Sequence, residues 1–459
     1  MDQESEIGEL REKVRAVTAD IIRNAQKRMD LARQIGEIKN RKGIEVKDER
    51  VEQDIRKMVL SISSQAGMKH EFALRLLNIL LEESESVQTQ GRAAPQKQTH
   101  LGIFMKARAL EASGKQMIHL EVGEPDYPPP FAVEKSLSES FRLKRYHYTE
   151  TRGIEKLREA IARKEKVTED RVIVTPGGRF AVFSAIVSLL KPGSELIILE
   201  PAWPAYKECA DFTGAKTRVL RTRFEDGWIP DTEMLEEMIN PATRMIVLNY
   251  PNNPTGKILE NKFVEKIVSL AKDNDLYLLS DEVYADYSYE KQFQGLLEHE
   301  YDKTIMVSSF SKRYAMTGFR VGYGIAAPKV IQLMNKVQAA GITCVAEPMQ
   351  YAALAAIGEN HENNVRIMKE RIDFVCSRLK AMSIRFVRPD GALYVFPELS
   401  DIDDMELVDR LLEQGVAVAP GSGFGDAYKN YVRISACQPI EILEEGLDKI
   451  SAVLQERSR

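Results

Sequence analysis

The sequence predicts a multidomain protein of two unlike parts. One is an all-α segment over residues 1–88; the other, over 101–459, is an α/β unit with a mostly parallel sheet wrapped by helices. Three observations predict this. Residues 5 to 41 contain no proline and no turn cluster, and Ile7, Leu10, Val14, Val17 and Ile21 recur at spacings of three and four, the period of an amphipathic helix. From about residue 101, short apolar β-branched runs alternate with helical stretches, the pattern of strands buried between helices. Between the two parts, the stretch from Thr89 to Thr99 is polar and aperiodic, so 89–100 reads as a linker.

Two shorter helices, roughly 48–65 and 69–88, complete the first part. In the second, the expected strands are Val172-Ile-Val174, Leu196-Ile-Ile-Leu199, Met245-Ile-Val-Leu248, Leu276-Tyr-Leu-Leu279 and Thr304-Ile-Met-Val307. After about 330 the pattern changes to a long helical region followed by shorter mixed elements. A large domain is therefore expected at about 140–330, and a smaller α+β lobe from about 101–139 and 331–459.

The chain has 459 residues, 44% hydrophobic and 29% charged, ordinary values for a globular protein. No apolar run reaches 18 residues and no export signal is present, so no membrane span is expected and the cytoplasm is the expected compartment. The formal charge is −5, and residues 1–88 carry 16 Lys/Arg against 17 Asp/Glu, which argues against nucleic acid as a partner. Cys209, Cys344, Cys376 and Cys437 form no C-x-x-C pair and read as thiols in a reducing compartment; no metal is expected.

Several apolar runs end in polar clusters, where doubly wound sheets place their ligands. After Val174 comes Thr175-Pro-Gly177-Gly178-Arg179, whose backbone N–H groups suit a phosphate at a helix start but equally a tight strand-to-helix turn. After Leu248 comes Asn249-Tyr-Pro-Asn252-Asn253-Pro254-Thr-Gly256, and after Leu279 comes Ser280-Asp281-Glu282-Val283-Tyr284. An acid at a strand end is often only a helix cap. The densest string is Ser309-Phe-Ser311-Lys312, with Gly318 and Arg320 six and eight residues beyond the lysine.

Together these strings resemble the fold type I (class I) pyridoxal-phosphate-dependent aminotransferases over about residues 101–459. The resemblance implies pyridoxal 5′-phosphate as cofactor, bonded through its aldehyde to Lys312. It implies that Asp281 pairs with the pyridinium nitrogen, that Asn253 and Tyr284 bond the ring's phenolic oxygen, and that Trp203 stacks on the ring. Gly178, Arg179, Ser309 and Arg320 would hold the phosphate, with Tyr148 reaching the phosphate of the neighbouring subunit. Arg433, in Tyr431-Val-Arg433-Ile-Ser435, would grip the substrate α-carboxylate as a fork, with Gly123, Trp203 and Asn253 beside it.

On the first helix, Arg28 and Lys39 are eleven residues apart and within about 20° of each other, whereas Arg11 is about 100° from Arg28. Arg11 thus suits a partner chain's pocket better than its own. Ser84 and Gln88, four apart, share a face. A solvated basic face has the same periodicity. The strings Leu10-Arg11-Glu-Lys13, Lys27-Arg28-Met-Asp-Leu31-Ala32, Ile35-Gly36-Glu-Ile38-Lys39, Asp48 with Glu52, and Glu82-Glu-Ser84 with Gln88 resemble the all-α chorismate mutase family over about residues 5–90. That resemblance implies that Arg28 and the partner's Arg11 bind the carboxylates of chorismate. Lys39 and Gln88 would take the ether oxygen, Glu52 and Asp48 the ring hydroxyl, and Ser84 a carboxylate. Many family members carry an arginine directly before the helix-two glutamate; here Val51 stands there, and Arg50 precedes it.

The expectation is a bifunctional enzyme of aromatic amino acid biosynthesis, acting on chorismate and on amino and keto acids as a homodimer with shared sites. The alternative is a general aspartate aminotransferase whose helical part only senses a ligand. A transcription regulator with a basic N-terminal arm is disfavoured by the charge balance.

Overall fold

The computed structural model describes residues 3–41, 49–89, 100–399 and 402–456. The chain forms two compact units, one up to residue 96 and one from residue 97 on.

The first unit is helical: α1 (Gln3–Arg41), α2 (Glu49–Gln65) and α3 (His70–Thr89). At 1.5 Å per residue the first helix is about 58 Å long. Helix α3 packs against both α1 and α2. At Gly36 the two backbones touch: a Cβ there would lie 2.7 Å from the Gln88 Cα. Ala32, Leu74 and Leu77 are buried in this small core. Arg56 of α2 is also buried, and its Nη2 donates to Asn78 Oδ1 at 2.8 Å. The early part of α1 is different. Ile7, Leu10, Val14, Val17 and Ile21 form the stripe read from the sequence, yet they are 49–65% exposed.

The second unit is built on a seven-stranded sheet. Its strands are β2 (Val172–Thr175), β3 (Glu195–Glu200), β4 (Lys216–Arg221), β5 (Thr243–Asn249), β6 (Tyr277–Asp281), β7 (Thr304–Ser309) and β8 (Gly322–Ile325), in the order β2-β8-β7-β6-β5-β3-β4. Only β8 runs against its neighbours β2 and β7; all other pairs are parallel. The sheet is thus mostly parallel, as its near-continuous apolar runs imply. Two strands escaped the sequence reading. Strand β4 (Lys-Thr-Arg-Val-Leu-Arg) lies at an edge and is mostly half-buried, so it carries no continuous apolar run. Strand β8 (Gly-Tyr-Gly-Ile) is short and half glycine.

A second layer is formed by α4 (His100–Ala112), β1 (Ile118–His119) and the C-terminal elements. Strand β1 pairs in parallel with β10 (Val416–Ala417), and β12 (Val432–Ser435) lies between β11 (Ala419–Pro420) and β9 (Tyr394–Val395). Ile103, Leu120, Ile372, Leu379, Leu407 and Ile434 share its core.

Gly322, where β8 meets β2 and β7, has no room for a side chain. A Cβ would fall against Gly178 N, Gly177 C and Ser308 O, all backbone atoms that cannot rotate away. Gly322→Ala is therefore expected to cost about 1–3 kcal/mol of stability. Thermal denaturation checks it.

Candidate active site

Parallel strands deliver their C-terminal ends to one edge of the sheet, and the polar clusters of the sequence meet there. A cavity of about 330 Å³ is lined by Gly178, Arg179, Trp203, Asn253, Asp281, Tyr284, Ser309, Lys312, Arg320 and Arg433. Gly123 borders it too; a Cβ there would collide with the Tyr394 hydroxyl, so only glycine permits that approach.

Asp281 is the last residue of β6 and is 4% exposed. Tyr206 Oη donates to its Oδ2 at 2.7 Å and Val283 N to its Oδ1 at 3.3 Å. No cationic side chain lies within ion-pairing distance among the described residues. Burial therefore pushes its pKa up to about 6 in spite of these donors. Burial also lowers the pKa of Lys312, whose Nζ donates to the Gly123 carbonyl.

Asn249, at the end of β5, ties two of these groups together. Its Nδ2 donates to the Asp281 carbonyl at 3.0 Å, and its Oδ1 accepts from Asn253 N at 3.0 Å. Asn253 Oδ1 in turn accepts from Arg433 Nη1 at 2.8 Å. The other fork nitrogen, Nη2, donates to the carbonyl of Glu121. The Arg433 guanidinium also lies 4.2 Å from the ring centre of Tyr394, whose hydroxyl is 2.8 Å from that of Tyr284.

At the opposite end, the helix Gly178–Leu189 begins beside Ser309 and Arg320. Gly177 precedes it with φ 80°, and a Cβ there would meet the Arg320 guanidinium. Ser309 Oγ accepts from Ser311 N at 3.0 Å and is 2.8 Å from Ser311 Oγ. The side chain of Arg179 is also part of the site: its guanidinium lies 4.6 Å from the Trp203 ring centre and its Nη1 3.8 Å from Glu208 Oε2. Tyr148 does not line this cavity; it is 88% exposed.

Sequence reasoning missed Tyr206, Tyr394, the Arg179 side chain and Glu121. Glu121 stands two residues before Gly123 in Glu121-Val-Gly123 and could have been singled out by that proximity. Tyr206 and Tyr394 carry no local signal, because only the fold brings them to Asp281 and Tyr284.

In the helical unit, Arg28 Nη1 donates to the Leu80 carbonyl and to Ser84 Oγ, and burial lowers its pKa. Gln88 packs on Gly36, and its Oε1 is buried with no hydrogen bond. Lys39 and Glu52 lie on α1 and α2 of the same unit. Arg11 is on α1 seventeen residues before Arg28, about 25 Å along the axis. Val51 is 53% exposed. Asp48 lies outside the described residues.

The arrangement matches known proteins in both units. Residues 115–450 match the family model described as aminotransferase class I and II, and residues 10–89 match chorismate mutase type II. The chain belongs to the class I and II aminotransferases. A chorismate mutase type II domain precedes its catalytic unit. An aspartate aminotransferase of Thermotoga maritima is 37% identical over 361 residues, covering 77% of this chain and 95% of that protein. An aspartate/prephenate aminotransferase of Thermus thermophilus is 34% identical, and an aromatic-amino-acid aminotransferase of Thermococcus litoralis 33%, each covering 77% of this chain and 95% of its own length. The structure of the Thermus thermophilus aspartate aminotransferase with maleate superposes with a TM-score of 0.75 at 33% identity, over 77% of this chain and 96% of that one.

The cofactor of this aminotransferase family is pyridoxal 5′-phosphate, and the donor set fits it. A buried carboxylate without a cation suits a protonated ring nitrogen. The helix start at Gly178, the Ser309 and Ser311 hydroxyls and Arg320 are donors suited to a phosphate.

One titration is readable. His119 Nδ1 is 2.7 Å from Glu121 Oε1, and its Nε2 is 3.1 Å from Glu111 Oε1. The hydrogen bond to Glu121 is the largest cause that raises the imidazole pKa, to about 9, with the charge of Glu121 and then Glu111 adding to it. A raised folded-state pKa stabilises the protein below the unfolded value of about 6.5, and that contribution is lost as pH rises through about 9. Thermal denaturation from pH 6 to 10 should show this decline, and His119→Gln should flatten it.

Proposed function

We propose that this chain is a bifunctional enzyme of aromatic amino acid biosynthesis. Its helical unit rearranges chorismate to prephenate. Its aminotransferase unit moves an amino group between glutamate or aspartate and an aromatic keto acid or prephenate. The observation that carries the reading is the convergence of Lys312, Asp281 and Arg433 in one cavity, in a chain headed by a chorismate mutase domain. The names of the Thermus and Thermococcus relatives support the choice of substrate class.

When bound, pyridoxal phosphate supplies an electron sink for the pair left at the substrate's α-carbon as its proton departs. Lys312 Nζ would hold the cofactor and, as a free amine, would carry the proton to and from the α-carbon. Burial, which lowers its pKa, favours the neutral amine that this role needs. Asp281 would face the ring nitrogen as a carboxylate and keep that nitrogen protonated. Tyr284 and Asn253 would hold the ring oxygen, and Trp203 the ring face. Gly178, Arg179, Ser309 and Arg320 would anchor the phosphate, with Tyr148 serving the partner's site. Arg433 orients the substrate through its α-carboxylate.

Arg179 adds a further cation to the pocket, over Trp203. It suits a distal carboxylate, as in aspartate, glutamate or prephenate. Arg179→Ala is expected to lower kcat/KM about tenfold for prephenate and oxaloacetate while leaving phenylpyruvate within about threefold, from the loss of one charge-assisted bond. Steady-state rates on this keto-acid panel check it. Activity confined to aliphatic substrates would overturn the aromatic assignment.

In the helical unit, Arg28, Ser84, Lys39, Gln88, Glu52 and Asp48 make up the proposed mutase site. It needs no covalent step: clamping the compact conformer and placing charge at the breaking C–O bond suffice. The separation of Arg11 from Arg28 along one rigid helix, and the exposed stripe beside Arg11, support a homodimer in which Arg11 completes the partner's site. The proposed compartment is the cytoplasm; among the described residues no helix is long and apolar enough to cross a membrane. Arg28→Ala is expected to reduce chorismate turnover at least 100-fold, the order of one lost electrostatic contact in a transition state, while amino transfer persists. A wild-type protein that fails to consume chorismate would favour the sensor reading instead.

A further inference from the structure

Arg433 is held by two acceptors, and one of them has its own support. Asn253 Oδ1 takes Nη1, and the Glu121 carbonyl takes Nη2. Lys312 Nζ donates two residues further along, to the Gly123 carbonyl. One three-residue segment therefore sets the position of both the arginine fork and the lysine amine. Glycine at 123 and a short β1 give that segment little stiffness of its own. Leu120, just before it, is held by backbone bonds to Ala417 and Ser435, and at Glu121 itself the side chain adds a further anchor.

Glu121 is completely buried, and its Oε1 meets His119 Nδ1 at 2.7 Å. His119 is in turn faced by Glu111 at 3.1 Å and by the Phe104 ring, both from α4. Arg108 of the same helix bonds Glu111 Oε2 at 2.9 Å, so the charges around the imidazole are Glu121, Glu111 and Arg108. From the other side, Gln438 Nε2 donates to the His119 carbonyl at 3.4 Å. A buried carboxylate is tolerated only with a partner, and here the partner is an imidazole, itself neutralised from a second element. The second oxygen, Glu121 Oε2, and Arg433 Nε are both buried with no hydrogen bond.

We propose that His119 and Glu121 are positioning residues for Arg433: a buried imidazole–carboxylate couple, pinned by Glu111, that holds the carbonyl on which the carboxylate-gripping fork rests. Glu121 borders the cavity, whereas His119 does not line it. The couple acts on the binding of the substrate carboxylate, through the place where Arg433 waits. This rests on the reading of Arg433 as the carboxylate arginine.

The probe is 3-phenylpropionate, a carboxylate with no amine to react, titrated into the full-length holoenzyme, with cofactor absorbance and Tm confirming the folded fraction. Glu121→Ala and His119→Gln are each expected to weaken its binding about tenfold, the effect of one hydrogen bond to a charged group. KM for the amino acid should rise in parallel, with kcat within about threefold. Glu121→Gln keeps an oxygen for His119 and should recover binding to within about threefold. A merely structural role would lower Tm and cofactor content but leave the affinity of the folded fraction, and this rescue, unmoved. Binding at wild-type strength in Glu121→Ala and His119→Gln would overturn the proposal. Should His119→Gln fail to fold, the comparison of Glu121→Ala with Glu121→Gln decides alone. Arg433→Lys, run in parallel, separates the two readings: if it binds as wild type, the role of Arg433 itself is wrong; if it binds weakly while the others do not, only the couple is.

Discussion

A carboxylate buried without a cation is the constraint around which the catalytic unit is arranged. Asp281 sits at the end of a central parallel strand, supplied with one phenol and one backbone N–H but, among the described residues, no cation within ion-pairing distance. Leaving it so is costly, and a cationic ring nitrogen would relieve the cost. Much else follows from keeping that carboxyl in place. Tyr206 is fully buried to donate to it, Asn249 bonds its carbonyl, and Asn249 also fixes Asn253 and through it Arg433. Asp281 and Arg433 are thus linked through two residues, Asn249 and Asn253.

The legible parts of the sequence were those where chemistry and local structure coincide. Lys312, Ser309 and Arg320 are close in sequence because one strand end and one turn hold them. Asp281 and Asn253 follow apolar runs that a buried parallel strand requires. What could not be read depends on contacts between distant segments. Tyr206 reaches Asp281 from 75 residues away, and Tyr394 reaches Tyr284 from 110. Strand β4 failed for another reason: an edge strand is half solvated, so its opening Lys216-Thr-Arg218 looks like loop. Arg179 was assigned only its backbone, because a residue that opens a helix at a glycine turn reads as a phosphate contact; that its side chain turns over Trp203 is visible only in three dimensions.

The helical unit obeys a different logic. Its core is small, with close backbone contact at Gly36 and a few buried aliphatics. The apolar stripe that predicts α1 most clearly is the part the unit itself leaves exposed. Periodicity identifies a face that is to be covered, and it does not say by what. Val51 makes the same point in reverse: a familiar string lacks one cation, while Arg56, one turn beyond Glu52, is buried against Asn78 and drew no notice in the sequence.

The resting partners of Arg433 bear on how substrates compete. A carbonyl and an amide oxygen take one N–H on each of its terminal nitrogens. A guanidinium has five N–H donors, and Nε here has no hydrogen bond. On the proposed reading, a carboxylate would meet the donors that remain while the two neutral acceptors keep the guanidinium in place. Neither acceptor cancels its charge, so the pocket would favour an anion over a neutral ligand of the same shape.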